Sequence, residues 1–183
     1  IAKLCEHFPD EYWLKRDREG GFPADFHQAF ARDGWLGIAM PEAYGGAGLG
    51  ITEAAVMMQA IAESGAGFSG ASAVHMNIFG LNPVVVFGTA EQKKRMLPPL
   101  IAGKERACFA VTEPNTGLNT KNIRVKAEKR GRTYVVSGQK VWISTAQVAE
   151  KVLLLARADA GLTLFYTDLD RKCVEVREID KMG

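Results

Sequence analysis

The chain has 183 residues, 47% of them hydrophobic and 24% charged, with a formal net charge of +2. That balance excludes an intrinsically disordered chain, suits one full or two small globular domains, and lacks the positive charge a phosphate-backbone binder uses. No run approaches the roughly 18 to 20 uninterrupted apolar residues of a membrane span, so a soluble protein without membrane or nucleic-acid partners is expected.

Cys5, Cys108 and Cys173 are far apart in sequence and form neither a CxxC pair nor an even disulfide set, which suits a reducing compartment. No metal site is readable: the acids show no ligand spacing and His7, His27 and His75 are scattered, the first two read as surface residues. The opening IAKLCEHFPDEYW places acids and aromatics where a signal peptide needs an apolar stretch. Starting at Ile1, it reads as an internal point of a longer protein, located in a bacterial cytoplasm or, after processing, a mitochondrial matrix.

Over residues 1–105 the apolar spacing predicts helices. Pro23 opens one, with Phe26 and Phe30 on one face and Gly34 as its left-handed terminator. Thr52 is expected to cap the next, with Ala55, Met58, Gln59 and Ala62 lining its inner side and Glu53 and Glu63 facing out, ending near Gly65. Ser69 to Phe87 is apolar nearly all round and predicts the most buried helix, kinked at Pro83. Thr89 to Gln92 has capping-box form, and the helix it starts should end irregularly at Pro98-Pro99. Together these make an antiparallel helical bundle.

From residue 106 the pattern turns β-rich. RACFAVT, IRVKAEK, TYVVSG, KVWIS, KVLLLARA, LTLFYTDL and VEVREI are seven candidate strands of an antiparallel sheet or barrel over 106–183, with Gly131 and Gly138 at turns and Ile123, Val125 and Ala127 on the buried face. The whole is of the α+β class.

The Gly45 to Gly50 cluster invites a phosphate-loop reading, but Ile51 stands where GxGxxG needs glycine and no strand precedes it, so a structural turn is the plainer interpretation. ACFAVTEPNTGLNT, residues 107–120, could present amides and hydroxyls together, although its residues also suit ordinary turn chemistry. SGQKVWISTAQ, residues 137–147, puts Trp142 beside small hydroxylated residues, and a core tryptophan is the ordinary alternative.

In order along the chain, GWLGIAMPEAYGGAGLG, FGTAEQKKRMLPPLIAGKERACFAVTEP and VVSGQKVWIS resemble the acyl-CoA dehydrogenase family. The resemblance implies an N-terminal helical domain, a middle β domain that is incomplete here, and a C-terminal helical domain that this chain lacks. It also implies FAD, an acyl-CoA substrate, α,β-dehydrogenation to a trans-2-enoyl-CoA with hydride transfer to the flavin, electron-transfer flavoprotein as acceptor, and a homo-oligomer, dimeric or tetrameric. The catalytic glutamate would belong to the absent domain, so none of the 21 acidic residues is nominated as base.

By the same resemblance, Phe109, Val111 and Thr112 meet the isoalloxazine, the last two through backbone and hydroxyl, and Trp142, Ile143 and Ser144 cover its other side. Gly117 lets backbone approach the ligand. Leu118 replaces the serine of a Gly-Ser-Asp that many relatives carry, leaving only a backbone contact, and Thr145 replaces an Asn. His75, Met76 and Phe79, with Leu118, border the substrate pocket, against the simpler reading of a helix core for the first three. The alternatives are an oxygen-using relative of the same fold, an acyl-CoA oxidase or flavin monooxygenase, and a truncated non-catalytic nucleotide-binding or interaction module.

Overall fold

The computed structural model describes residues 1–179. The described residues divide into two compact units, residues 1–106 and residues 107–179.

The first unit is helical: α1 (Ala2–Cys5), α2 (Asp10–Glu19), α3 (Ala24–Arg32), α4 (Ile51–Ile61), α5 (Gly67–His75), α6 (Asn82–Phe87) and α7 (Ala90–Ile101). Its core is aromatic near the start of the chain. Phe26 and Phe30 are fully buried one turn apart on α3, their ring centroids at 4.6 Å, and Phe8 and Trp13 meet Phe26 edge-on. The Trp13 indole N–H donates to the Phe8 carbonyl at 3.0 Å, so this large side chain is buried without an unpaired donor. Gly34 takes the left-handed conformation the sequence suggests, at φ 79°.

Four helical expectations change. Thr52 is not the cap of α4: Gly50 is, its N–H donating to Glu53 Oε2 at 2.9 Å. The buried face is Ala54, Met57 and Ile61, whereas Ala55, Gln59 and Ala62 are exposed and Met58 is half-buried. Neighbouring positions carry the same residue types here, Ala54 beside Ala55 and Met57 beside Met58, so apolarity could not distinguish two faces one residue, or about 100°, apart.

The stretch 69–87 is not one buried helix. Wide turns at Ala62–Ala66 and Met76–Gly80, Gly65 at φ 87°, and Pro83 in the first turn of α6 divide the run from Ile51 to Phe87. That run is long and apolar enough to cross a membrane by length and composition, but half of its most apolar window is buried within the protein. Val74, Leu81 and Val84 point inward while Phe68, Val86 and Phe87 are exposed.

Pro98 and Pro99 lie inside α7, which continues regularly to Ile101. The carbonyls they leave without donors belong to Lys94 and Arg95, both exposed and open to water. The Thr89–Gln92 capping box forms as expected, with reciprocal bonds of 2.8 and 3.2 Å.

His27 is buried rather than superficial, edge-on to Phe22 at 5.4 Å, because the inward stripe of α3 is wide enough to include it beside Phe26, Phe30 and Ala31.

The second unit contains β1 (Ala107–Ala110), β2 (Lys126–Arg130), β3 (Thr133–Ser137), β4 (Lys151–Ala158) and β5 (Gly161–Asp168). The sheet is mixed rather than purely antiparallel. Hairpins β2–β3 and β4–β5 are antiparallel, but β1 runs parallel to β4, with Phe109 opposite Leu153, and β2 meets the end of β4 in parallel. The long connection from β1 to β4 permits this, since parallel neighbours need a crossover rather than a tight turn. Ile123, Val125 and Ala127 are all buried, although only Ala127 lies within β2 and the two residues before it precede the strand.

Two of the seven candidate strands are not strands: the KVWIS and VEVREI segments are irregular across the described residues. In KVWIS extended geometry breaks at Trp142, at φ 60°, with Thr145 just beyond it at φ 70°.

Candidate functional site

In the second unit the end of β1 runs into Val111, Thr112 and Glu113, and a distant segment, Lys140 to Trp142, returns beside it. The Val141 amide donates to the Thr112 carbonyl at 2.9 Å, and Lys140 Nζ donates to the Val111 carbonyl at 2.8 Å. The fold therefore brings Val111 and Thr112 next to the residues flanking Trp142.

The junction is held by charge. Glu113 is buried, and its carboxylate accepts from the amide of Arg124 at 2.6 Å, the amide of Val125 at 2.9 Å and Lys140 Nζ at 2.9 Å. Burial alone would raise the Glu113 pKa, but the two amides and the ammonium outweigh it and hold the carboxyl below its ordinary 4.5. Burial also draws Lys140 below its ordinary 10.5, against the opposing pull of Glu113. Glu113 further pairs with Thr116 through reciprocal backbone bonds, and the Thr116 hydroxyl donates to the Asn122 carbonyl, so the loop is closed on itself.

Trp142 is the strained member. A bulky residue at φ 60° is a backbone outlier, and its side chain, 69% exposed, gains little from packing. It is not the core tryptophan that the simpler interpretation required. Ile143 packs inward with Cys108, Ala110, Ala149 and Val152, while Ser144 is exposed. The turn after it is fastened by Arg171, whose guanidinium donates to the carbonyls of Ala146 and Ala149 at 2.6 and 3.2 Å. Burial pushes the Cys108 thiol up to about 11, so this cysteine is a packed neutral side chain rather than a nucleophile.

Phe109 and Thr112 are half-buried, Gly117 is exposed, and the Leu118 side chain stands wholly in solvent. A Cβ at Gly117 would meet nothing within 4 Å, so the chain itself does not require glycine there.

In the first unit His75 and Phe79 stack at 5.0 Å, with His75 Nδ1 2.6 Å from the Ser72 carbonyl. Phe79 is half in solvent and Met76 is buried beneath. The wide turn here keeps Gly80 against Met76, whose sulfur occupies the place a Cβ would take.

The glycine cluster of the first unit has no free donors to offer. The amides of Gly46, Ala47, Gly48 and Leu49 all bond to backbone carbonyls of residues 37–41, which makes it a structural turn.

Sequence reasoning missed Glu113, Lys140 and Arg171. A lone acid between a threonine and a proline, and a lysine at the start of an apolar run, were the available signals.

Residues 1–104 match the acyl-CoA dehydrogenase N-terminal domain, and residues 108–183 match the acyl-CoA dehydrogenase middle domain. The chain belongs to the acyl-CoA dehydrogenase family. Acyl-CoA dehydrogenase FadE12 of Mycobacterium tuberculosis is 32% identical over 167 residues, covering 89% of this chain and 42% of that protein. A probable acyl-CoA dehydrogenase from Mycobacterium abscessus superposes with a TM-score of 0.87 at 28% identity, over 100% of this chain and 51% of that one. A glutaryl-CoA dehydrogenase from Mycobacterium smegmatis, solved in complex with FADH2, does so at 0.77 and 27%, over 92% of this chain and 44% of that one. The chain thus spans about half the length of such relatives, and the α+β class expected from its sequence holds.

Proposed function

We propose that this chain is the FAD-binding part of an acyl-CoA dehydrogenase that oxidises an acyl-CoA thioester to the trans-2-enoyl-CoA. The observation that carries the reading is the junction at the end of β1, where Thr112 lies one hydrogen bond from the residue preceding an exposed, strained Trp142. Such strain persists where the surroundings impose it, and an exposed indole held this way offers a flat apolar wall to a ring system.

The donor set fits FAD. The Thr112 carbonyl is committed to Val141, leaving the hydroxyl to donate to the pyrimidine edge of the flavin, with the backbone of Val111 beside it. Phe109 would supply apolar contact from the strand, Trp142 and Ser144 with the backbone of Ile143 would cover the ring, and Gly117 with the backbone of Leu118 would let the ligand approach the loop. When bound, FAD accepts the hydride from the substrate β-carbon. The chain's own task is to orient the thioester, exclude water and place donors where negative charge arrives.

Glu113 is not the base that removes the α-proton, because its side chain is buried away from any ligand and the three donors it already accepts lower its basicity. In the first unit His75, Met76 and Phe79 are the residues assigned to acyl selectivity, the stacked pair presenting a half-exposed apolar face. Electron-transfer flavoprotein would reoxidise the flavin, and the complete protein would be a homo-oligomer.

Anaerobic titration of the purified full-length polypeptide that carries this chain with a panel of acyl-CoA thioesters, following the visible flavin band and intact mass, tests this. Bleaching by one chain class supports the reading and names the substrate. A yellow protein that no thioester bleaches, or one making peroxide stoichiometrically in air, overturns the dehydrogenase assignment.

A further inference from the structure

We propose that Glu113 and Lys140 are positioning residues, whose buried ion pair fastens the end of β1 to the Lys140–Trp142 segment and so sets Thr112 and Trp142 beside each other. The inference rests on the flavin-facing role given above to those two residues.

One carboxylate here joins three stretches of chain that are far apart in sequence. Glu113 Oε2 takes the Arg124 amide, Oε1 takes the Val125 amide and Lys140 Nζ, and Lys140 in turn reaches the Val111 carbonyl. The side chains are 5% and 9% exposed, so neither is available to touch a ligand. What they act on is the next layer, the Val141 to Thr112 backbone bond that sets the register between the two segments.

An apolar pair could fill the same volume, and buried ion pairs seldom add net stability over such a replacement. An apolar pair could not direct the Val111 carbonyl or hold two loop amides at fixed angles. Direction is what a site needs when one of its members, Trp142, sits in an unfavourable backbone conformation that the surroundings must enforce.

The test uses the purified flavoprotein and its variants Lys140→Met, Lys140→Arg and Glu113→Gln/Lys140→Met. Two quantities are read: hydrogen exchange at the Val141 amide, and the dissociation constant for FAD. In Lys140→Met the Val141 amide should exchange about tenfold faster while the β4–β5 amides stay protected, and FAD should bind about tenfold more weakly. Lys140→Arg, which retains a donor and the charge, should recover part of both.

If Lys140→Met fails to fold, the double variant leaves no unpaired buried charge and carries the measurement. Parent-like exchange at Val141 in the folded variants overturns the proposal, as does faster exchange with unchanged FAD affinity. A parent protein that binds no FAD would instead remove the flavin reading, and Val141 exchange would still report whether the pair positions the segment.

Discussion

Two loops of this molecule are rich in turn residues, and they are built in opposite ways. In the glycine-rich loop of the first unit, left-handed positions belong to glycines, Gly45 at φ 90° and Gly48 at φ 64°, and its amides bond to nearby carbonyls. In the 140–145 segment of the second unit, left-handed positions belong to Trp142 and Thr145, and the tryptophan faces solvent. The first loop is locally satisfied. The second is held against its local preference by contacts from elsewhere, and this difference separates a structural turn from a candidate site better than glycine content does.

The comparison breaks most severely if Gly46 tolerates a side chain. A Cβ there would land on the Met40 carbonyl, so Gly46→Ala should destabilise the protein by about 3 kcal/mol or more, read as a fall in denaturation midpoint. A near-parent midpoint would show that the loop is less closely packed than described.

Glu113→Ala comes next in size or equals it. It leaves Lys140 buried without its partner and should cost about 3–5 kcal/mol. The same carboxylate gives a pH dependence. With its pKa held below the ordinary 4.5, the folded state binds fewer protons there than the unfolded chain. The stability it contributes is therefore full above 4.5 and is lost as the pH falls through the lower folded value. Acid unfolding curves of the parent and Glu113→Gln should converge as the pH drops, and parallel curves would contradict the pairing.

Trp142→Gly sharpens the contrast. Glycine relieves roughly 1–2 kcal/mol of left-handed strain and loses about 0.5–1 kcal/mol to chain entropy, so stability should hold or rise slightly. FAD affinity should fall nonetheless. A clear loss of stability with intact FAD binding would make Trp142 a structural residue.

Leu118→Ser should change least. The side chain is wholly exposed, so stability should move by no more than about 0.5 kcal/mol, and flavin content should stay the same or improve. Loss of flavin would undo the alignment of this loop with its relatives.

Much of the architecture was legible where one residue type forces one local solution. Thr89 and Gln92 could form a capping box with few competitors, and the alternation of Ile123, Val125 and Ala127 marked three buried positions around the start of β2. The inner face of α4 was not legible because alanine and methionine occur on both sides. The burial of His27 was missed because a polar ring was judged by its type rather than by the wide stripe it belongs to. The site residues came from family resemblance, while the charged pair behind them lay 27 positions apart with no periodicity to connect it.

By itself the sequence determined what depends on neighbours within a few residues: helix caps, turn glycines, strand alternation, and the motifs that mark the family. Tertiary structure decided which face of α4 turns inward, that β1 lies parallel to β4, and that Glu113 meets Lys140 beside a strained Trp142. Those outcomes depend on packing between distant segments, where small local preferences are outweighed by the burial and hydrogen bonding that only the folded chain provides.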